Sequence, residues 1–79
     1  MKIKVFVRLK PGVLDVQGKA VEQGLHGLGF KEIAEVRVGK LIEFEIESSS
    51  FEQAKSRVEE MCTTLLANTV IENFEIVQG

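Results

Sequence analysis

The side chains that could carry covalent chemistry are few: one histidine, His26, one cysteine, Cys62, and no tyrosine or tryptophan. An imidazole beside a thiol can raise a thiolate nucleophile, but the pair needs mutual reach and a third group to orient the base. His26 and Cys62 both fall in stretches with helical spacing, and no third group stands at a recognisable interval. A structural zinc site takes four ligands, more Cys and His than the chain owns. Phosphate chemistry of the acylphosphatase type wants an arginine in the loop after the first strand. Residues 11–18 contain no basic residue, and nowhere does a glycine-rich phosphate loop with its lysine occur. Catalytic, cofactor and metal residues are therefore expected to be none, and a stand-alone enzyme is not expected.

The remaining polar groups bear on binding. Lys and Arg number 10 against 12 Asp and Glu, a net charge of -2, which argues against a nucleic-acid binder held by bulk electrostatics. Seventy-nine residues, 44% of them hydrophobic, suit one folded domain, 1–79, whose small core makes a partner surface unsurprising. The start Met1-Lys2-Ile3-Lys4 lacks a signal-peptide apolar core, no apolar run reaches membrane-spanning length, and the lone cysteine has no internal disulfide partner. A cytoplasmic location is expected. Candidate contacts with other proteins are Gln17, in the first turn of a helix, and Arg37 and Lys40, two cations flanking Gly39.

The elements that must position these residues follow from periodicity. Residues 2–9 alternate, with Ile3, Val5, Val7 and Leu9 on one face and Lys2, Lys4, Phe6 and Arg8 on the other. Pro11 and Gly12 end that strand. Asp15 stands at an N-cap position, Val21, Leu25 and Leu28 follow at helical spacing, and Gly29 fits the residue after the helix. Gly18 and its fellow glycines weaken the helix by propensity and suggest close backbone approach. Residues 32–47 read as two strands joined by a three-residue loop Arg37-Val38-Gly39, with Ala34 opposite Ile42 and Gly39 in a left-handed bulge position. Ser49 with Glu52, or Ser50 with Gln53, opens a second helix carrying Phe51, Ala54, Val58, Met61 and Leu65 as its stripe. Residues 70–77 complete the chain as a strand with Phe74 and Ile76 on one face.

The order βαββαβ predicts an α+β, ferredoxin-like two-layer sandwich: an antiparallel four-stranded sheet, strand 1 between strands 3 and 4, both helices on one face. The bare face then shows Lys2, Lys4, Phe6 and Arg8 beside Glu43, Glu45 and Glu47, with Phe6, Ile33 and Leu41 as its apolar members and candidate dimer contacts. One outward aromatic among glutamates is poor equipment for stacking RNA bases.

Pro11-Gly12-Val13-Leu14 between strand and helix resembles the ligand loop of ACT-type amino-acid-binding domains, which gives the alternative reading of a small-ligand regulatory domain. The longer run Leu14-Asp15-x-Gln17-Gly18-Lys19-Ala20, with Val36-Arg37-Val38-Gly39-Lys40 and the terminal Asn68-x-Val70-Ile71-Glu72-Asn73-Phe74-Glu75-Ile76, resembles one family over nearly the whole chain. That family is PurS, the small subunit of phosphoribosylformylglycinamidine synthase. Val16 replaces the family's usual proline, and Asn68-Thr69 and Asn73-Phe74 replace its Asn-Pro and Asp-Tyr. The resemblance implies a non-catalytic subunit of a purine-biosynthetic ligase. It implies no cofactor on this chain, although the complex uses ATP and Mg. The implied partners are another copy, the large synthetase subunit and the glutaminase subunit, which it would bridge to help ammonia pass. Pro11, Gly12, Asp15, Gly18 and Gly29 are expected to be structural.

Overall fold

Alternation of apolar residues places β1 (Lys2–Leu9) at the centre of the sheet, with Ile3, Val5 and Val7 essentially inaccessible to solvent. A computed structural model describes residues 1–79. After β1 come α1 (Val16–Gly27), β2 (Lys40–Glu45), α2 (Phe51–Met61), a π-helical turn over Cys62–Leu66, and β3 (Glu72–Gln78). The sheet runs β2-β1-β3, antiparallel throughout. Strand 1 is central, flanked by the strands before and after the second helix.

Four strands are predicted; the sheet has three. Residues 30–38 form no ladder. Side chains from the α1 region take the backbone groups a ladder would need: Val36 N–H donates to Glu22, Val38 N–H donates to Asp15, and His26 Nε2 donates to the Ile33 carbonyl. Glu35 adds a left-handed φ of 56°, which breaks any extended run. The proposed turn at Arg37-Val38-Gly39 is also overturned. Gly39 has no positive φ; it is there because a Cβ would stand 2.6 Å from the Val7 carbonyl oxygen.

The helices do not share one layer. Ser50 Oγ accepts from Gln53 N–H at 3.2 Å to start α2, whose Ala54 and Val58 bury against the sheet with Cys62 and Ile76. The stripe then departs from plain helical spacing. Ala67 N–H bonds to the Cys62 carbonyl five residues back, and that wider turn sends Leu65 into solvent at 83% exposure. In contrast, α1 packs on none of the strands, and its one buried residue is Gly18. It leaves the sheet as an arm, with residues 30–38 returning along it. The molecule accordingly measures 50 × 24 × 15 Å with a radius of gyration of 15.8 Å, against about 12 Å for a compact chain of this length.

On the bare sheet face, Lys2 stands opposite Glu45, Lys4 opposite Glu43 and Phe6 opposite Leu41. Arg8 stacks over Phe6 at 5.4 Å and reaches Glu75 at 3.7 Å. Such exposed pairs contribute little. Ile33 is absent from this face: it lies in the arm, so the expected trio of dimer contacts reduces here to Phe6 and Leu41.

Candidate functional site

The root of the arm is where the sequence's scattered contact residues converge. Asp15 sits at the N-cap of α1 in extended conformation, only 6% exposed. One carboxylate oxygen accepts Gly18 N–H at 2.7 Å and the other accepts Val38 N–H at 2.7 Å. A single side chain thus caps the helix and fastens the returning segment to it. The carbonyl of Val36 lies so close to Gly18 that a Cβ there would be 2.3 Å away. From the same segment, Arg37 turns back and donates to the carbonyls of Val13, at 2.9 Å, and Lys10, at 3.1 Å.

These bonds bring two shallow depressions together where β1 ends and β2 begins. Gln17, Gly39 and Lys40 line one with Asp15 and Glu72. Arg37, Gly39 and Lys40 line the other, a cleft of about 330 Å³, with Arg8 and the apolar Phe6, Val38 and Leu41. Gln17, Arg37, Gly39 and Lys40 therefore border one continuous patch, not a hairpin tip and a separate helix end. Lys40 is an exposed cation with no side-chain partner, Arg8 is exposed too but lies 3.7 Å from Glu75, and Arg37 spends two of its donors on the neighbouring loop. Arg8, absent from the sequence-level candidates, joins them because the register puts it next to the β2 start; its place on the bare face was the one available hint. Pro11 and Gly12 (φ 86°) form the turn after β1, and Gly29 (φ 99°) follows the end of α1.

The electrostatics of the root are set by backbone N–H groups. Those of Gly18 and then Val38 hold the Asp15 carboxyl below its ordinary 3.8, outweighing its desolvation. The Val36 N–H likewise holds Glu22 below 4.5. Depressed carboxyls stabilise the folded root fully above those ordinary values and lose that contribution as pH falls through the lower folded values. In an NMR acid titration the Val36 and Val38 amide protons should shift with inflections below 4.5 and 3.8 respectively. Asp15→Asn should abolish the Val38 inflection and spare that of Val36. Inflections at or above the ordinary values would contradict this arrangement.

No nucleophile is assembled. Cys62 is fully buried under the sheet, where burial and then the charge of Glu59 push its thiol up, away from the reactive thiolate. His26 belongs to the arm, bound to Ile33. No three His, Cys, Asp or Glu side chains converge as metal ligands, and no helix is long and apolar enough to cross a membrane.

The sequence model of the family described as PurS, phosphoribosylformylglycinamidine (FGAM) synthase, matches residues 2–78. The chain belongs to the PurS family. It is 49% identical to the phosphoribosylformylglycinamidine synthase subunit PurS of Bacillus subtilis over 92% of this chain and 86% of that one. With the PurS subunit of Methanocaldococcus jannaschii it shares 43% identity over 95% and 90% of the two chains. Among solved structures, Bacillus subtilis PurS superposes with a TM-score of 0.86 at 47% identity, covering 96% of this chain and 94% of that one. A chain in the structure of PurLQS from Thermotoga maritima gives 0.89 at 29% identity, covering 99% and 95%. The amino-acid-binding alternative loses its support. These relatives are synthase subunits, and in this chain the carbonyls of Val13, in the supposed ligand loop, and of Lys10, just before it, accept from Arg37.

Proposed function

We propose that this chain is the small, non-catalytic subunit of a phosphoribosylformylglycinamidine synthase, joining the synthetase and glutaminase subunits so that ammonia passes between them. The observation that carries this reading is the match over residues 2–78, whose relatives include a chain of an assembled PurLQS complex. The site agrees with it: a surface of polar and apolar side chains on a stapled backbone, with its one thiol buried and its one imidazole bound to a carbonyl. In the complex's reaction, glutamine supplies ammonia, and ATP activates formylglycinamide ribonucleotide to accept it. Ammonia released into water is protonated at neutral pH and loses its nucleophilicity, so the two active sites need to be held together. ATP and Mg belong to the synthetase in this reading, and this chain holds no cofactor. Its partners are a second copy and the two larger subunits, and its setting is the cytoplasm, where purines are made.

The patch bordered by Gln17, Arg37, Gly39 and Lys40 is the proposed docking point for an acidic surface of a larger subunit. Two of its cations, Arg37 and Lys40, separate the contributions. Lys40 is exposed, at the first position of β2 opposite Val7, so Lys40→Glu should change stability by no more than about 0.5 kcal/mol. It should weaken complex formation tenfold or more in a sedimentation or calorimetric titration, at about 1.4 kcal/mol per tenfold. Arg37→Ala instead removes two hydrogen bonds that hold the loop and should lower stability by about 1 kcal/mol. Unchanged assembly by Lys40→Glu would remove the patch from the docking interface and leave the family-level role to other surfaces.

A further inference from the structure

We infer that the cleft between the end of β1 and the start of β2 binds a free mononucleotide, a small anion with a phosphate on one side and a flat ring on the other. The site stands on the cleft's own charge and geometry. The docking proposed above enters only through a consequence, competition for the same cations.

The first support is charge. The whole chain carries -2, yet Arg8, Arg37 and Lys40 line this cleft and no acidic residue does. Strand register explains the local excess. At the far end of the bare face the pairing sets Lys2 against Glu45 and Lys4 against Glu43. At this end it sets Lys40 against Val7 and Arg8 against Asn73, so neither cation has an acid directly opposite. Glu75 reaches Arg8 only from the β3 side, at 3.7 Å, with both side chains largely exposed and the pair screened by water. Asp15 and Glu72 line the neighbouring depression instead, and both Asp15 oxygens already accept backbone N–H groups.

The second support is the arrangement of donors. A guanidinium carries five N–H donors in a fixed fork. Arg37 spends one from Nη1 on the Val13 carbonyl and one from Nη2 on the Lys10 carbonyl, which fixes its plane and leaves three unspent. A side chain held in advance loses less freedom when a ligand arrives. Lys40 has no side-chain partner and adds a point charge on a flexible stem. A fixed fork beside a free ammonium suits a phosphate carrying close to two negative charges.

The third support is the apolar side. Arg8 stands over the Phe6 ring, 5.4 Å from its centroid, and Leu41, directly opposite Phe6, is 47% exposed. Aromatic faces and guanidinium planes are both platforms on which nucleobases stack. Inorganic phosphate would leave that side unused, and three positive charges repel a metal ion. The volume of about 330 Å³ lies at the lower end of the ~300–1,000 Å³ typical of small-molecule sites, room for one nucleotide and not for a dinucleotide. Because Arg37 and Lys40 also belong to the docking patch, a bound mononucleotide and the acidic surface of a larger subunit exclude one another.

The test titrates the full chain with adenosine 5′-monophosphate, adenosine and inorganic phosphate, followed by amide NMR and calorimetry. The monophosphate should bind at least tenfold more tightly than adenosine or phosphate and shift the amides of residues 6–8 and 39–41. Arg8→Gln and Lys40→Glu should each weaken it tenfold or more, with amide spectra otherwise unchanged. Lys2→Gln, at the charge-paired end of the same face, should bind like wild type. Amides of 6–8 and 39–41 that stay unmoved at millimolar monophosphate would overturn the site. Phosphate binding as tightly as the monophosphate, or an equal loss with Lys2→Gln, would overturn it too, leaving only a diffuse cationic surface. Competition is read separately, as at least tenfold weaker assembly with the larger subunits at saturating monophosphate. Binding without any effect on assembly would move the docking point elsewhere and leave the site standing. Assembly that needs Lys40, with no monophosphate binding, would remove the site and leave the docking in place.

Discussion

Gly18→Ala should cost about 2 kcal/mol and lower the melting temperature by roughly 10 °C, although alanine is the better helix former. The reason is geometric. The new methyl group would sit 2.3 Å from the Val36 carbonyl oxygen and 2.8 Å from an Asp15 carboxylate oxygen, and neither is the free end of a flexible side chain. Relief requires the returning segment to move off α1, which strains the Asp15 bonds to Gly18 and Val38 and the Glu22 bond to Val36. Gly27→Ala, in the same helix, meets nothing within 4 Å and should gain up to about 0.5 kcal/mol. Thermal melts of the two variants should therefore move in opposite directions. Two small stabilising shifts would show that the arm root is loose and that Gly18 is not its keystone.

The same root explains what could be read from the sequence. β1, α2 and β3 are declared by local pattern: alternation through Ile3, Val5 and Val7, a serine cap with Ala54 and Val58 spaced behind it, and Phe74 with Ile76 two apart. The opposition of Lys4 and Glu43 also follows, because strand order and alternation fix which faces meet. The second strand fails for a non-local reason. Residues 32–38 have enough apolar and β-branched members to pass for a strand, and side chains 7 to 23 residues away decide otherwise by taking their backbone groups. Leu65 fails more simply: one widened turn rotates it out of a stripe that holds as far as Met61.

The candidate site divides along the same line. Gln17, Arg37, Gly39 and Lys40 are recognisable singly as a helix-end polar group and loop cations around a glycine. Their meeting depends on Asp15 using both oxygens, one locally at Gly18 and one at Val38, 23 residues on. The cap was legible, and the free second oxygen of a buried carboxylate was the signal that a further partner had to exist. Arg37 shows the opposite error. A cation in a predicted turn looks available, yet its guanidinium is engaged by the loop after β1.

The central claim is that this chain couples two active sites and performs no chemistry itself. The direct measurement is turnover by the synthetase and glutaminase subunits, with and without this chain, using either glutamine or free ammonia as the nitrogen source. Glutamine-dependent formation of formylglycinamidine ribonucleotide should fall at least tenfold when the chain is left out, and recover on adding it back; tenfold corresponds to about 1.4 kcal/mol in the effective barrier. Ammonia-dependent formation should change much less, because externally supplied ammonia needs no passage between subunits. Turnover of ATP or glutamine by the chain alone should be nil. An equal loss with both nitrogen sources would contradict the coupling role and assign the chain to the synthetase reaction itself.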